Sequence, residues 1–128
     1  MLCALISRYA SLLDGFGDML IQDERFFEIL DGGLETGLHS PGETPFFTSA
    51  YFHTSRAIKN ELIFAGFSDI DLIAVEGFAR AVNTAELLKN EEHTRLLLKY
   101  IKRTERAPEL MGISDRFFAI TRNDVLEN

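Results

Sequence analysis

The sequence predicts an α/β fold, and three observations carry that expectation. Residues 50–77, AYFHTSRAIKNELIFAGFSDIDLIAVEG, read as an aromatic loop, a capped helix, a glycine stop and a buried strand. The chain opens on Met1-Leu-Cys-Ala-Leu-Ile6, an apolar run of the kind that forms a strand covered on both faces. Arg116-Phe-Phe-Ala-Ile-Thr121 is a closing strand after the breakers Pro108 and Gly112. In sheets built from helix–strand units, ligands sit beyond the carboxyl ends of the strands. A covered strand at the first residue also leaves its expected neighbours unaccounted for, which hints at a truncated or split chain.

Taken in order, residues 7–16 (SRYASLLDGF) turn helical around Leu12 and Leu13, with Asp14-Gly15 as the stop. A second helix is expected from Gly17 to Leu30, with Met19, Phe26, Phe27 and Leu30 near one face and Asp31-Gly32-Gly33 ending it. A short helical piece follows at Leu34 to Leu38. From His39 to Thr48 the composition shifts to Pro, Gly, Ser and Thr, which marks either a lid or a solvated connector.

Thr54 is a good N-cap, because its hydroxyl can accept from first-turn N–H groups. Ile58, Leu62 and Ala65 then recur at helical spacing, and Gly66 supplies a left-handed end. In the strand that follows, Ile70, Leu72 and Ala74 share one face. Thr84 opens a long helix to about Thr104 with Leu87, Leu88, Leu97, Leu98 and Ile101 as its apolar face. Lys99, Lys102, Arg103 and Arg106 crowd its end, where cations oppose the helix dipole.

Length and composition bound the function. The 128 residues make one domain, and 46% hydrophobic with 26% charged residues is a globular balance. With 11 Phe and no Trp, the core rests on phenylalanine and aliphatics. A net charge of −7 disfavours nucleic acid and anionic membrane surfaces, which call for a positive footprint. The single Cys3 leaves no internal disulfide and fits a reducing cytoplasm. No apolar stretch is long enough to span a membrane.

Most motifs fail on context. Gly15-Phe-Gly17 with Glu35 downstream imitates a dinucleotide fingerprint, but Leu20 stands where its third glycine belongs and a helix separates it from the first strand. Gly112-Ile-Ser114 lacks the closing glycine of a nucleophile elbow and runs into a strand, so Ser114 reads as a turn residue. His39, His53, His93 and Cys3 are too scattered for a metal site. Tyr51-Phe52-His53, just before a helix, is either an anion-facing cluster with His53 as base or donor, or core aromatics with a packed histidine. Glu76, at a strand end, is placed for ligand contact or for a turn.

Four ordered stretches carry a resemblance: Ile6 to Gly15, Ala50 to Thr54, Gly66 to Gly77, and Pro108 to Arg122. Together they resemble the C-terminal half of a class I S-adenosylmethionine-dependent methyltransferase of the small-molecule type with a helical lid. The resemblance implies one partial domain of a Rossmann-like fold: residues 1–6 a strand, 7–48 lid helices and loop, and 49–128 a helix-strand-helix-strand run. The chain would hold the last three strands of the sheet at residues 2–6, 69–76 and 116–122, the final one antiparallel and inserted between the other two. The glycine-rich loop and acidic strand end that hold S-adenosylmethionine would lie outside it, leaving it inactive alone.

Arg8, Tyr9, Tyr51, His53 and Glu76 would line the pocket for a small-molecule methyl acceptor. Two departures from the family pattern bear on that pocket: Phe78-Ala79-Arg80 after the Glu-Gly pair, and Arg116 entering the last strand. The implied partner is a separate chain carrying the cofactor half, or a second copy. The alternative is a non-enzymatic binding or oligomerisation module that uses an exposed sheet edge or the lid helices.

Overall fold

The computed structural model describes residues 1–123. Its centre is a three-stranded sheet of β1 (Leu2–Ile6), β4 (Phe67–Ala74) and β5 (Arg116–Asn123), in the order β1-β5-β4. β5 runs antiparallel to both neighbours, so β1 and β4 are parallel to each other. The register sets Leu5 opposite Phe117 and Phe117 opposite Ala74. Because side chains alternate along a strand, Leu5, Leu72, Ala74, Phe117 and Ala119 share one buried face.

That face is covered by α3 (Ser55–Phe64) and α6 (Pro108–Met111), through Ile58, Leu62 and Met111. α3 starts where the sequence places it, the Thr54 hydroxyl accepting from Ala57 N–H at 3.1 Å. Gly66 follows at φ +85° and turns the chain into β4.

The opposite face carries Leu2, Ala4, Phe118, Ile120 and Val75, and all five are exposed. β1 gives its odd-numbered residues to β5 and turns the N–H and C=O groups of Leu2 and Ala4 outward. Among the described residues only its end has a second neighbour, a parallel bridge from Ser7 to His53, with His53 N donating to Ile6 O at 2.8 Å.

Between β1 and α3 lies a helical layer of α1 (Ala10–Gly17), α2 (Glu24–Thr36), and the short antiparallel pair β2 (Leu38–His39) and β3 (Ala50–Tyr51). The boundaries differ from the sequence expectation. α1 does not stop at Asp14-Gly15; Gly15 is inside it, where a Cβ would collide with the Phe26 ring. α2 starts seven residues later than expected, because Asp23 caps it by accepting from Arg25 N–H. It then runs through Gly32-Gly33 and absorbs the first three residues of the piece expected at Leu34 to Leu38, ending at Thr36, while Leu38 falls in β2. Its buried stripe, Phe26, Leu30 and Gly33, carries the helix on to Gly37, whose φ of +85° ends it.

The expected long helix after Thr84 is two: α4 (Thr84–Leu87), capped by Asn83, and α5 (Glu91–Thr104), capped by Asn90. Leu97 is the one buried leucine of the expected stripe, while Leu88 and Leu98 face solvent. Among the described residues no helix is long and apolar enough to cross a membrane.

Candidate functional site

The carboxyl ends of β1 and β4 and the start of β5 lie at the same end of the sheet, and a cleft of about 140 Å3 opens there. Its apolar walls are Ile6, Ala10, Phe47 and Phe52, and its polar end is Ser11, Asp14, Asp115 and Arg116. α1 supplies Ala10, Ser11 and Asp14 from one helical face. The loop between β2 and β3 supplies Phe47, held at φ +68° and 64% exposed. Phe47, Ser11 and Asp14 also line a second hollow of about 150 Å3 toward Leu20, Phe26 and Phe46.

His39 anchors the loop. It is buried, stacks on Phe52 at 4.9 Å, and its Nε2 lies 2.7 Å from Phe46 O, so Nε2 carries the proton and donates. Its Nδ1 is 3.4 Å from Ser11 Oγ, whose hydroxyl can then donate back.

The polar end is a chain of charges. Arg80 Nη2 donates to Asp14 Oδ1 at 2.6 Å. Arg80 Nε lies 2.8 Å from Asp115 Oδ2 without the alignment of a hydrogen bond, and among the described residues neither Arg80 Nε nor the buried Asp115 Oδ1 has a hydrogen-bond partner. Burial raises the Asp115 carboxyl above the usual aspartate range; Arg80 opposes the rise, and the carboxylates of Asp14 and Glu76 add to it. The Arg80 guanidinium is correspondingly stabilised, first by Asp115.

Next to Asp115, Ser114 is fully buried and binds Glu76. Burial pushes the Glu76 carboxyl upward, but the Ser114 hydroxyl, the N–H groups of Glu76 and Arg116 and the Arg116 guanidinium together outweigh it and leave the pKa lowered.

Of the five residues expected to line a pocket, three come together. Arg8 Nε donates to Phe52 O at 3.0 Å and its guanidinium sits 5.9 Å from the Tyr51 ring centre, while Tyr51 meets His53 edge-on at 4.8 Å. His53 Nδ1 is 3.6 Å from Glu61 Oε2, too far for a hydrogen bond. Burial lowers the His53 pKa, with Arg8 adding to the effect and Glu61 opposing it.

This group backs onto the cleft without lining it, because alternation turns Phe52 inward and Tyr51 and His53 to the other side. Tyr9 packs beside Gly112, and Glu76 borders a separate groove of about 430 Å3 with Ala79, Arg80 and Leu97. The residues sequence reasoning missed are Asp14, Phe47 and Asp115. Asp14 looked like a helix stop, Asp115 like part of a turn, and Phe47 lay in a loop with no periodicity.

S-adenosylmethionine has no seat in this cleft. Nucleoside-sized ligands occupy pockets of roughly 300–1,000 Å3, well above the 140 Å3 present. In the 430 Å3 groove the strand-end carboxylate, Glu76, is turned back onto Ser114 and Arg116 through its Oε2. A third groove of about 490 Å3, along α5, is lined almost wholly by apolar groups such as Phe78, Leu96 and Leu110. Among the described residues no group of three His, Cys, Asp or Glu side chains converges on a metal position. No protein-family model, curated protein or solved structure matches the chain.

Proposed function

We propose that these residues are the substrate-side portion of an S-adenosylmethionine-dependent methyltransferase, with the cofactor held by residues outside them. The observation that carries this reading is the sheet order β1-β5-β4, in which the last strand enters antiparallel between two parallel ones. That is the arrangement the family resemblance leads one to expect for the closing strands of the fold. The reading assigns the remaining sheet to the edge where, among the described residues, the outward N–H and C=O groups of Leu2 and Ala4 have no strand partner. The cleft at the strand ends, roofed by the loop after β2, suits a small methyl acceptor.

The test expresses these residues both alone and joined to the coding sequence immediately upstream, and titrates each with S-adenosylmethionine by calorimetry. The joined protein is expected to bind at micromolar concentration and the 128 residues alone are not. No binding by the joined protein overturns the methyltransferase reading; micromolar binding by the short chain overturns the division.

A second reading is supported by the composition of the same edge. Leu2 to Ile6 carries no charge, proline or bulge of the kind that protects edge strands. A module that pairs with a second copy through β1 would use it directly.

A further inference from the structure

We propose that the cleft binds a small amine carrying one flat ring, with the ring against Phe47 and Phe52 and the ammonium at Asp115. This builds on the substrate-side reading above, in which such an amine is the methyl acceptor, but the binding can be measured without any methyl transfer.

Size comes first. At about 140 Å3 the cleft is close to the roughly 150 Å3 cavity known to hold a single benzene, so it admits one ring and a short substituent. The walls suit a ring: Phe47, Phe52, Ile6 and Ala10 offer apolar and aromatic surface on one side. Aromatic faces also attract a cation placed over them.

Charge decides the substituent. Three carboxylates, Asp14, Glu76 and Asp115, surround two guanidiniums, Arg80 and Arg116. Arg80 is held between Asp14 and Asp115, though its Nε has no aligned acceptor among the described residues, and Arg116 reaches Glu76 only at 3.4 Å. What is left over is one negative charge in excess, and Asp115 Oδ1 has no hydrogen-bond donor among the described residues. A protonated amine supplies the missing donor and the missing positive charge together. An alcohol supplies only the donor. A carboxylate would add a further negative charge beside Asp14 and Asp115, with only the solvent-exposed Arg116 guanidinium to offset it.

The experiment titrates the 15N-labelled chain with benzylamine, benzyl alcohol and benzoate at neutral pH and follows amide shifts. Benzylamine is expected to give saturable shifts centred on Phe47, Phe52 and Asp115, with an affinity at least about tenfold above benzyl alcohol, as a charge-assisted hydrogen bond implies; benzoate is expected to give none. Asp115→Asn should erase the preference for the amine over the alcohol. Phe47→Ala should weaken both ring probes and leave their ratio unchanged.

Benzoate binding as tightly as benzylamine overturns the proposal. So do an amine preference that survives in folded Asp115→Asn, and shifts confined to the groove along α5. If Asp115→Asn does not fold, the rank order of the three probes and the Phe47→Ala ratio decide it. Amine binding in a protein whose joined form ignores S-adenosylmethionine would keep this inference and remove the methyltransferase; the reverse pair of results would do the opposite.

Discussion

Ser114 has one hydroxyl proton and two acceptor sites, and its surroundings use all three. Its oxygen accepts from the N–H groups of Glu76 and Gly77, each at 3.1 Å, while its proton goes either to Glu76 Oε2 at 2.8 Å or to Arg116 O at 2.7 Å. The residue therefore ties the end of β4 to the start of β5. Ser114→Ala leaves two backbone donors without a partner, and urea unfolding is expected to show a loss of about 2–4 kcal/mol. A loss below about 0.5 kcal/mol, the range of an indifferent surface substitution, would mean the turn is held by other contacts. The sequence showed Ser114 only as a turn residue, because a buried hydroxyl and an exposed one look alike in a one-dimensional string. Thr54 was legible for the opposite reason: its partner, Ala57 N–H, is three residues away.

At the level of elements, the connection from α2 to β2 depends on Gly37. Its φ of +85° is one that side-chain-bearing residues rarely adopt, and a Cβ there would stand 2.6 Å from Arg8 Nη2 and from Phe52 O. The second of those atoms is backbone and has little freedom to move. Gly37→Ala is expected to cost more than about 2 kcal/mol, combining left-handed strain with displacement of β3, as read from the thermal midpoint together with loss of the Phe52–His39 stacking signals in NMR spectra. An unchanged midpoint would show that the loop can shift at no cost. Stop signals were visible in the sequence here, but which glycine served was not. Gly32-Gly33 lies inside α2 since the helix goes on burying its stripe through Gly33, and Gly37 ends it since Arg8 and β3 close in at that point. The helix after Asn83 was likewise legible as helical and illegible as two pieces, because the Asn90 side chain restarts it locally by capping His93 N–H at 3.0 Å.

For the whole molecule, the uncovered sheet face is the dominant feature. The chain exposes 8599 Å2, against roughly 6,900 Å2 for a compact monomer of its mass. Even five fully extended residues would add only about 800 Å2. Leu2 is 66% exposed and Phe64, on the outer side of α3, is 95% exposed. An uncharged edge beside an apolar face predicts concentration-dependent association of the isolated chain. Ala4→Lys places a charge on that edge without touching the buried face, and light scattering after size exclusion should show it shifting the population toward monomer. Wild-type protein that stays monomeric at high concentration would remove both the self-association reading and the need for a covering partner.

The sequence by itself determined the three strands of the central sheet and the Thr54 and Gly66 boundaries of α3, since these rest on periodicity and on partners a few residues apart; the two-residue strands β2 and β3 it did not show. It also carried the expectation that the last strand lies between the other two, which the observed sheet order matches. Only the tertiary structure decided which residues meet at the strand ends. Asp14, Phe47 and Asp115 come from three distant segments and converge because α1, the loop after β2 and the entry to β5 are stacked over one end of the sheet. Tyr51 and His53, adjacent to Phe52 in the chain, are turned away from the cleft by the alternation of an extended backbone. No local pattern encodes which side of that alternation faces the cleft; the pairing of β3 with β2 and the His53 bridge to β1 fix it.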